Sequence, residues 1–301
     1  MRAAAFCPAH ITGFFKAQID DRQHVNNLGS TGAGFSIKQG VTTRVETHPR
    51  INQNDNFQIT LKGYKTDKTD VSQFVLNDFL SRGRFEGLFF DIRHEISIPV
   101  GYGLGSSGAV ALSLSYALDR ALGTNLKRHE IGSIAHNAEV SCKTGLGDVL
   151  ASFHGGFEIR TKAGAPGVGS VEKINADSIS VLVICFSPVS TNKFIKEQLP
   201  RINGLGDKMV GRLLKTRNCE QFQDMSLEFA DYVGVITPRM KRVIDDLSAH
   251  GIKCGVALFG ETVFSMISPK KEGAVLDVLK RHGGEVIRTE LDRQGARILY
   301  N

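Results

Sequence analysis

Hydrophobic and polar residues alternate through much of the first hundred positions, and this alternation is typical of half-buried β-strands. Four runs are predicted as strands, at residues 2–8, 32–48, 57–64 and 88–99, and the first of them is short and mostly apolar rather than alternating. An Asn- and Asp-rich segment separates the second and third runs and favours a turn, so we expect these two runs to form a hairpin or meander. The first part of the chain is therefore predicted to contain a sheet.

Apolar residues at helical spacing lie between and after these runs. They predict a helix that ends near Gly83, a strongly apolar helix over residues 107–122, an amphipathic helix over 127–142 and a short helix that begins at Asp148. A further strand is predicted at residues 156–164. Helices thus alternate with strands in this half of the chain.

A segment rich in Gly, Ala and Pro, residues 162–175, divides the chain. We place a domain boundary there and predict one domain at 1–165 and another at 166–301. In the second domain the order is strand, helix, strand, strand, helix, strand, which is typical of a ferredoxin-like domain. Residues 190–233 are predicted to be helical, and 285–299 to form the closing strand.

The charge of the chain excludes some partners and leaves others open. Its 301 residues include 37 Lys and Arg against 31 Asp and Glu, a formal net charge of +6, and the basic residues are scattered. No basic run is dense enough for a nucleic-acid arm, whereas a small anion such as ATP or a carboxylate suits a modest positive excess. No apolar run reaches the roughly 18 residues of a membrane span. We expect neither a nucleic-acid nor a membrane partner.

The five cysteines do not form a metal or disulfide pattern. Their number is odd, and no two of them have C-x-x-C spacing. Such a set is typical of a reducing compartment, so we expect a cytoplasmic protein.

The most informative stretch is "PVGYGLGSSGA", residues 99–109, which contains the pattern G-x-G-x-x-G. A dinucleotide site would have an acidic residue about 20 positions later, at the end of a second strand. Here one helix is followed by another helix, so the dinucleotide interpretation fails. A P-loop fails too, because no Gly-Lys-Ser/Thr follows. A glycine turn that opens a helix still offers backbone N–H groups to a phosphate.

The same stretch resembles the second motif of the GHMP kinase superfamily, Pro-x-x-x-Gly-Leu-Gly-Ser-Ser-Ala, with Gly108 in place of the first alanine. "CPAHITGFF" (7–15) stands where the superfamily has its first motif, and together with "GSTGAGFSI" (29–37) it resembles the archaeal pantoate kinases, a branch of the superfamily. The third motif is degenerate and keeps only Gly255 and Gly260. The resemblance covers essentially the whole chain.

This resemblance implies a fold and an activity. The expected fold is α+β, with an N-terminal left-handed β-α-β domain that binds the nucleotide and a C-terminal ferredoxin-like domain. The expected reaction is the ATP-dependent phosphorylation of pantoate to 4-phosphopantoate in coenzyme A biosynthesis.

The resemblance also implies ATP and Mg²⁺ as cofactors. The residues carried over for ATP binding are Pro99, Gly101, Gly103, Leu104, Gly105, Ser106, Ser107, Gly108 and Ala109. The superfamily uses a glutamate at the place of Glu139 for Mg²⁺, which prefers oxygen ligands, and the Ser107 hydroxyl lies at the helix start. We predict both as metal ligands. Their structural alternatives are an N-cap for Ser107 and a solvated charge for Glu139.

Two more residues join Ser107 and Glu139 as predicted catalytic groups. Asp148 matches the superfamily aspartate that takes a proton from the accepting hydroxyl or orients it, and the sequence leaves both roles open beside that of a helix N-cap. His10 stands in the first motif, where Lys or Arg is common.

Pantoate carries a carboxylate, for which a fixed arginine is a good ligand, and two hydroxyls. Arg160, close to the Asp148 turn, is the predicted carboxylate ligand. The resemblance adds Ser30, His136 and Thr191 as predicted substrate-binding residues, with His136 one helical turn before Glu139.

Several alternatives stay open. Another GHMP kinase substrate, such as homoserine, shikimate or a mevalonate-like acid, is compatible with the same motifs. A non-catalytic nucleotide- or RNA-binding relative is a different class, and the presence of Glu139 and Asp148 beside the phosphate turn argues against it. The oligomeric state is open, and a homodimer is one arrangement that we consider.

Overall fold

The computed structural model describes residues 1–20, 22–51, 56–66, 68–189 and 191–300, with only the helical backbone for 191–197. Two sheets and eight α-helices account for most of this part of the chain. The strands are β1 (Arg2–Gln18), β2 (Gly29–Pro49), β3 (Phe57–Gly63), β4 (Leu88–Ile96), β5 (Phe157–Lys162), β6 (Ser170–Ile174), β7 (Ser180–Pro188), β8 (Gly255–Ala257), β9 (Gly260–Ile267), β10 (Glu285–Glu290) and β11 (Arg297–Tyr300). The helices are α1 (Asp70–Ser81), α2 (Ser106–Leu122), α3 (Arg128–Ser141), α4 (Asp148–His154), α5 (Thr191–Thr216), α6 (Cys219–Val233), α7 (Pro238–Ala249) and α8 (Glu272–Leu279).

The first sheet has the strand order β11-β1-β2-β4-β3, and β5 and β6 extend it from β2. β3 and β4 are parallel and are joined through α1, which gives the expected β-α-β unit. The predicted hairpin between the second and third runs is therefore wrong. β2 pairs with β4 instead. β3 lies on the other side of β4, and because these two strands are parallel, the chain passes from β3 to β4 through a helical crossover.

The first strand is much longer than the predicted run 2–8. β1 continues to Gln18 and pairs with β2 along almost its whole length. The register shifts between Pro8 and Ala9 and again between Thr12 and Phe14. Most of β1 is buried on both faces, so its sequence lacks a two-residue alternation, and this is why the pattern underestimates the strand.

The second sheet confirms the ferredoxin-like prediction. Its order is β10-β7-β9-β8, and all of its pairs are antiparallel. Helices α5, α6 and α7 connect β7 to β8, and α8 connects β9 to β10. The predicted helical segment 190–233 corresponds to α5 and α6, and residue 190 lies outside the described residues.

The predicted closing strand 285–299 is two strands in different sheets. β10 pairs with β7, whereas β11 pairs with β1 in the first sheet. Between them, the Asp292 carboxylate accepts hydrogen bonds from the backbone N–H groups of Gln294 and Gly295, and Gly295 has φ +74°. This turn ends the strand. The boundary between residues 165 and 166 stays a prediction.

A phenylalanine cluster connects the first sheet to α6. Phe222 lies 4.9 Å from Phe157 and 6.1 Å from Phe35 between ring centroids, and Phe35 lies 5.0 Å from Phe264 of the second sheet. The added Cβ of an alanine at Gly13 would lie 2.6 Å from the Phe222 ring. Aromatic packing therefore fixes β1 against the C-terminal half. None of the described helices is both long and apolar enough to cross a membrane.

Candidate active site

The glycine turn before α2 has the backbone that a phosphate loop requires. Gly101, Gly103 and Gly105 have φ values of +87°, +75° and +64°, which glycine tolerates best. An added Cβ at Gly103 would lie 2.2 Å from the carbonyl oxygen of Leu258. The turn is thus held against the β8–β9 connection and directs the N-terminal N–H groups of α2 away from the helix.

A cavity of about 370 Å³ lies beside this turn. Its wall contains residues of the glycine turn, of the α3–α4 connection, of β1 and β2, and of the β8–β9 connection: Gly101, Gly103, Leu104, Gly105, Ser106, Ser107, Lys143, Thr144, Gly145, Leu146, Gly147, Asp148, Thr12, Phe15, Ser30, Leu258 and Phe259. A cleft of about 650 Å³ lies elsewhere, around Arg293 and Arg297, and none of the predicted site residues lines it. The smaller cavity is the candidate site.

Glu139 lies behind this wall and is 1 % exposed. One carboxylate oxygen accepts hydrogen bonds from Ser107 Oγ at 2.5 Å and from Thr144 Oγ1 at 3.1 Å. The other oxygen, Oε2, is buried and has no partner among the described residues. Burial and the nearby charge of Asp148 raise the pKa of Glu139 to about 7.

This environment fits a hard cation. An added Cβ at Gly108 or Gly145 would lie 3.1 Å or 2.3 Å from Glu139 Oε2, so the two glycines leave space at the unpartnered oxygen. A buried carboxylate with a free oxygen and a neighbouring hydroxyl is a donor set that suits Mg²⁺. Among the described residues there is no group of three or more His, Cys, Asp or Glu side chains that could hold a metal.

Asp148 is the first residue of α4 and faces the cavity. Its Oδ1 lies 2.8 Å from His10 Nδ1 and 3.5 Å from Thr12 Oγ1. Burial alone would raise the pKa of Asp148, but hydrogen bonds and charge from His10, aided by Arg160, lower it below its usual value. Asp148 is therefore an ionised acceptor at neutral pH.

His10 lies fully buried between two carboxylates. Its Nε2 is 3.1 Å from Glu158 Oε1, on the side of the ring opposite Asp148. Burial would lower the pKa of His10, but Glu158 and Asp148 outweigh this effect and raise the pKa above 6.5. Each ring nitrogen of His10 thus faces a carboxylate, an arrangement that favours the imidazolium.

Arg160 is also fully buried, in β5 rather than at an exposed strand end. Its Nη1 donates to Glu158 Oε1 at 2.6 Å, and its Nε has no partner among the described residues. An added Cβ at Gly147 would lie 2.3 Å from Ser30 Oγ and 2.9 Å from Arg160 Nε. Arg160 therefore lies directly behind Gly147 of the cavity wall and does not itself line the cavity.

Some predicted residues lie away from the cavity wall. Pro99, Gly108 and Ala109 support the turn and the first turn of α2 without lining the cavity. His136 is 1 % exposed, its Nε2 lies 3.3 Å from the carbonyl oxygen of Val25, and burial lowers its pKa to about 4. The side chain of Thr191 lies outside the described residues.

Comparisons with known proteins agree with this geometry. A model of the family "GHMP kinases N terminal domain" matches residues 72–156. A pantoate kinase of Methanocaldococcus jannaschii is 31% identical over 278 residues, which are 91% of this chain and 96% of that protein. This chain belongs to the pantoate kinase family of the GHMP kinases.

Two further comparisons concern the sequence of a second relative and the fold. A pantoate kinase of Methanospirillum hungatei is 27% identical over 305 residues, covering 99% of this chain and 97% of that protein. A solved structure described as "Phosphotransferase related to CoA biosynthesis pathway" superposes with a TM-score of 0.88 at 23% identity, covering 99% of this chain and 98% of that one. The GHMP kinase fold predicted from the sequence is thereby confirmed.

Three residues of the site escaped the sequence analysis: Thr12, Glu158 and Thr144. Thr12 follows two positions after His10, and Glu158 precedes Arg160 by two positions, so each shares a strand face with a predicted residue. This two-residue spacing could have identified Thr12 and Glu158 as residues on the same strand faces, but it does not apply to Thr144. The assignments of the GHMP kinase motif residues to ATP, metal and substrate stay predictions.

Proposed function

We propose that this protein transfers the γ-phosphoryl group of ATP to a hydroxyl of pantoate and forms 4-phosphopantoate on the route to coenzyme A. The observation that carries the proposal is a single cavity lined by the α2 glycine turn, Ser107 and Asp148. Ser107 donates a hydrogen bond to Glu139, which lies behind the cavity wall. Phosphoryl transfer needs anchored phosphates, charge neutralisation and an oriented hydroxyl, and these groups can supply them.

The nucleotide side of the proposal rests on the helix terminus. The N–H groups at the start of α2, with the positive end of its dipole, attract the phosphates of ATP. Ser107 and Glu139 would hold Mg²⁺, which when bound neutralises charge that develops on the phosphates. Asp148 is assigned to the acceptor side, where His10 and Thr12 hold its Oδ1.

The acceptor side rests on Asp148 and Arg160. The accepting hydroxyl oxygen forms a bond to the γ-phosphorus as the bond to the β,γ-bridging oxygen breaks, and the hydroxyl proton is released. Asp148 orients this hydroxyl and can take its proton. We assign the acid's carboxylate to Arg160, with Ser30 of the cavity wall beside it.

The test is a panel of acceptors with the purified protein, ATP and Mg²⁺. Pantoate should give the highest kcat/KM, with one ADP formed for each 4-phosphopantoate. Turnover with homoserine, shikimate or mevalonate but not pantoate would contradict the substrate, and absence of ATP binding would contradict the whole proposal.

A matched pair of variants on α3 tests the metal assignment. Glu139→Gln should lower kcat by on the order of 100-fold or more, because the amide cannot replace an anionic ligand. Glu130→Gln is the control, since Glu130 only caps α3 and glutamine can still accept that hydrogen bond. Equal activities of the two variants would remove Glu139 from the site. The cytoplasmic location and the homodimer stay predictions.

A further inference from the structure

Glu158 links Arg160, the proposed ligand of the acceptor's carboxylate, to His10, which holds Asp148 at the acceptor's hydroxyl. Its Oε1 accepts a hydrogen bond from Arg160 Nη1 at 2.6 Å and lies 3.1 Å from His10 Nε2, and its Oε2 lies 3.3 Å from the same nitrogen. All three side chains are 0 % exposed. A single carboxylate oxygen thus connects the arginine to the histidine.

This contact crosses an intervening strand. His10 is on β1 and Glu158 is on β5, and both strands pair with β2. Gly34 of β2 lies between them, and an added Cβ there would be 2.6 Å from His10 Nε2. The histidine reaches Glu158 only because position 34 has no side chain.

The direction of the hydrogen bonds follows from the partners. An ionised carboxylate only accepts, so a ring with Asp148 at Nδ1 and Glu158 at Nε2 donates from both nitrogens when it is protonated. The charged and titratable groups that face His10 are Asp148 from α4 and Glu158 and Arg160 from β5, while the hydroxyl of Thr12 on β1 lies 3.4 Å away. The ring is therefore fixed in orientation and charge.

The remaining atoms of this network point to the acceptor. His10 and Thr12 hold Asp148 Oδ1, and the part of the chain that the structure describes makes no hydrogen bond to Oδ2. Glu158 occupies Nη1 of Arg160, whereas Nε of Arg160 is unpartnered behind Gly147. Asp148 Oδ2 and Arg160 Nε are left for a ligand, while Arg160 Nη2 donates to Thr12 Oγ1 at 3.5 Å.

We propose that Glu158 is a positioning residue that sets the distance between Arg160 and Asp148. Arg160 binds the acceptor's carboxylate, and Asp148, to which Glu158 is connected through His10, orients the acceptor's hydroxyl. This inference rests on the proposed function. Glu158 touches neither substrate nor nucleotide. Its effect is to hold both ends of a small hydroxy acid at one fixed separation.

The alternative is that Glu158 only neutralises the buried Arg160. The variant Glu158→Gln separates the two roles, because it keeps the shape and one acceptor oxygen but removes the charge. We expect kcat with pantoate to fall about 10-fold or more and KM for pantoate to rise about 10-fold, since small misplacements of reacting groups are costly. KM for ATP should stay within about twofold, because the α2 turn is untouched.

The alkaline limb of the pH profile of Glu158→Gln should move to lower pH, because His10 loses a neighbouring negative charge.

Glu172→Gln is the matched control. Glu172 lies on β6, beside β5, and pairs with Arg217 on the surface, with 44% of its side chain exposed. It loses the same charge outside the site, so its kinetic constants and pH profile should equal those of the wild type. A Glu158→Gln variant that is less stable but keeps the wild-type KM for pantoate, kcat and pH profile would overturn the positioning role.

A second measurement uses the unchanged protein and does not depend on turnover. Nitrogen-15 NMR should show both ring nitrogens of His10 protonated at pH 7, with the resonance assigned by its loss in His10→Gln. A neutral His10 at pH 7 would overturn the proposal even if Glu158→Gln fails to fold. Absence of pantoate phosphorylation by the wild type would instead contradict the proposed function, and the NMR result would still report on the network.

Discussion

His10 and His94 are both 0 % exposed and both lie on strands that pair with β2, but their surroundings differ. His10 belongs to a charged cluster with Asp148, Glu158 and Arg160. His94 belongs to a hydroxyl cluster, defined as His94 with Thr43, Ser72 and Ser113. Its Nδ1 is 2.8 Å from Thr43 Oγ1 and its Nε2 is 3.1 Å from Ser72 Oγ.

The comparison separates the effect of burial from the effect of partners. Burial lowers the pKa of His94 to about 4, and its hydroxyl partners do not reverse this. The same burial acts on His10, yet two carboxylates raise its pKa above 6.5. Hydroxyls both donate and accept, so they satisfy a neutral ring, whereas a carboxylate at each ring nitrogen favours a charged one. A buried histidine is therefore structural or functional according to its neighbours.

The largest expected effect comes from the charged cluster. Asp148→Asn should lower kcat with pantoate by on the order of 10³-fold, because the amide neither takes a proton nor attracts the His10 imidazolium. His94→Gln, in the hydroxyl cluster, should keep kcat within about threefold at a temperature where it is folded. Steady-state kinetics checks both. An Asp148→Asn enzyme with more than about a tenth of wild-type kcat would show that the charge is not required.

The pH dependence of stability should separate the two histidines by sign. The folded-state pKa of His94 is about 4, so the unfolded chain takes up the proton first as pH falls below 6.5. His94 therefore contributes about 3 kcal/mol to the free energy of unfolding above pH 6.5, and this contribution is lost as the pH falls towards 4. That of His10 runs the other way, because its folded pKa is raised: it is full below pH 6.5 and is lost as pH rises through the folded pKa.

Urea unfolding of the wild type and of His94→Gln from pH 7 to pH 4 measures this term. The difference in unfolding free energy between them should shrink as pH falls. A difference that stays constant over this range would mean that His94 is protonated in the folded state.

Arg160→Ala is expected to raise KM for pantoate by about 100-fold, because the acid's carboxylate loses a charge-assisted hydrogen bond. KM for ATP should change by less than about threefold. Arg93→Ala is the control, because Arg93 precedes His94 on β4 and pairs with Asp91 on the surface. Equal increases in the two KM values for Arg160→Ala would remove Arg160 from the carboxylate role.

The smallest effect belongs to Ser72→Ala. It leaves Nε2 of His94 without its hydroxyl partner and should cost about 1–2 kcal/mol of unfolding free energy. The kinetic constants should not change, since the hydroxyl cluster does not line the cavity. Thermal unfolding measures the loss of stability, and the pantoate assay measures the kinetic constants. A change in KM for pantoate would show that the hydroxyl cluster affects the charged cluster at the site.

The parts of the site that the sequence predicted are those that depend on local spacing. The glycine turn, Ser107 at the start of α2, and Asp148 at the start of α4 are set by residues close in the chain. The turn needs glycines at positive φ, and a helix start needs the pattern that follows it, so both are visible in a short window.

The parts that escaped prediction depend on pairing between distant strands. Glu158 meets His10 only because Gly34 leaves space between β1 and β5, and no local pattern encodes this. The full length of β1 is not visible in the sequence because most of the strand is buried on both faces, so apolar and polar residues do not alternate along it. The parallel arrangement of β3 and β4 likewise depends on where α1 packs rather than on the strand residues themselves.

The position of β11 has a consequence for biosynthesis. β1, which carries His10, has β2 on one side and β11 on the other, with Ala4 opposite Tyr300. Only residues 19–28 separate β1 from β2, whereas β11 leaves the ribosome after every other strand of both sheets. Until then the outer edge of β1 has unpaired backbone groups, which invite pairing with other chains. A nascent chain that stalls before residue 297 would already contain the glycine turn but would still depend on chaperones to shield this edge.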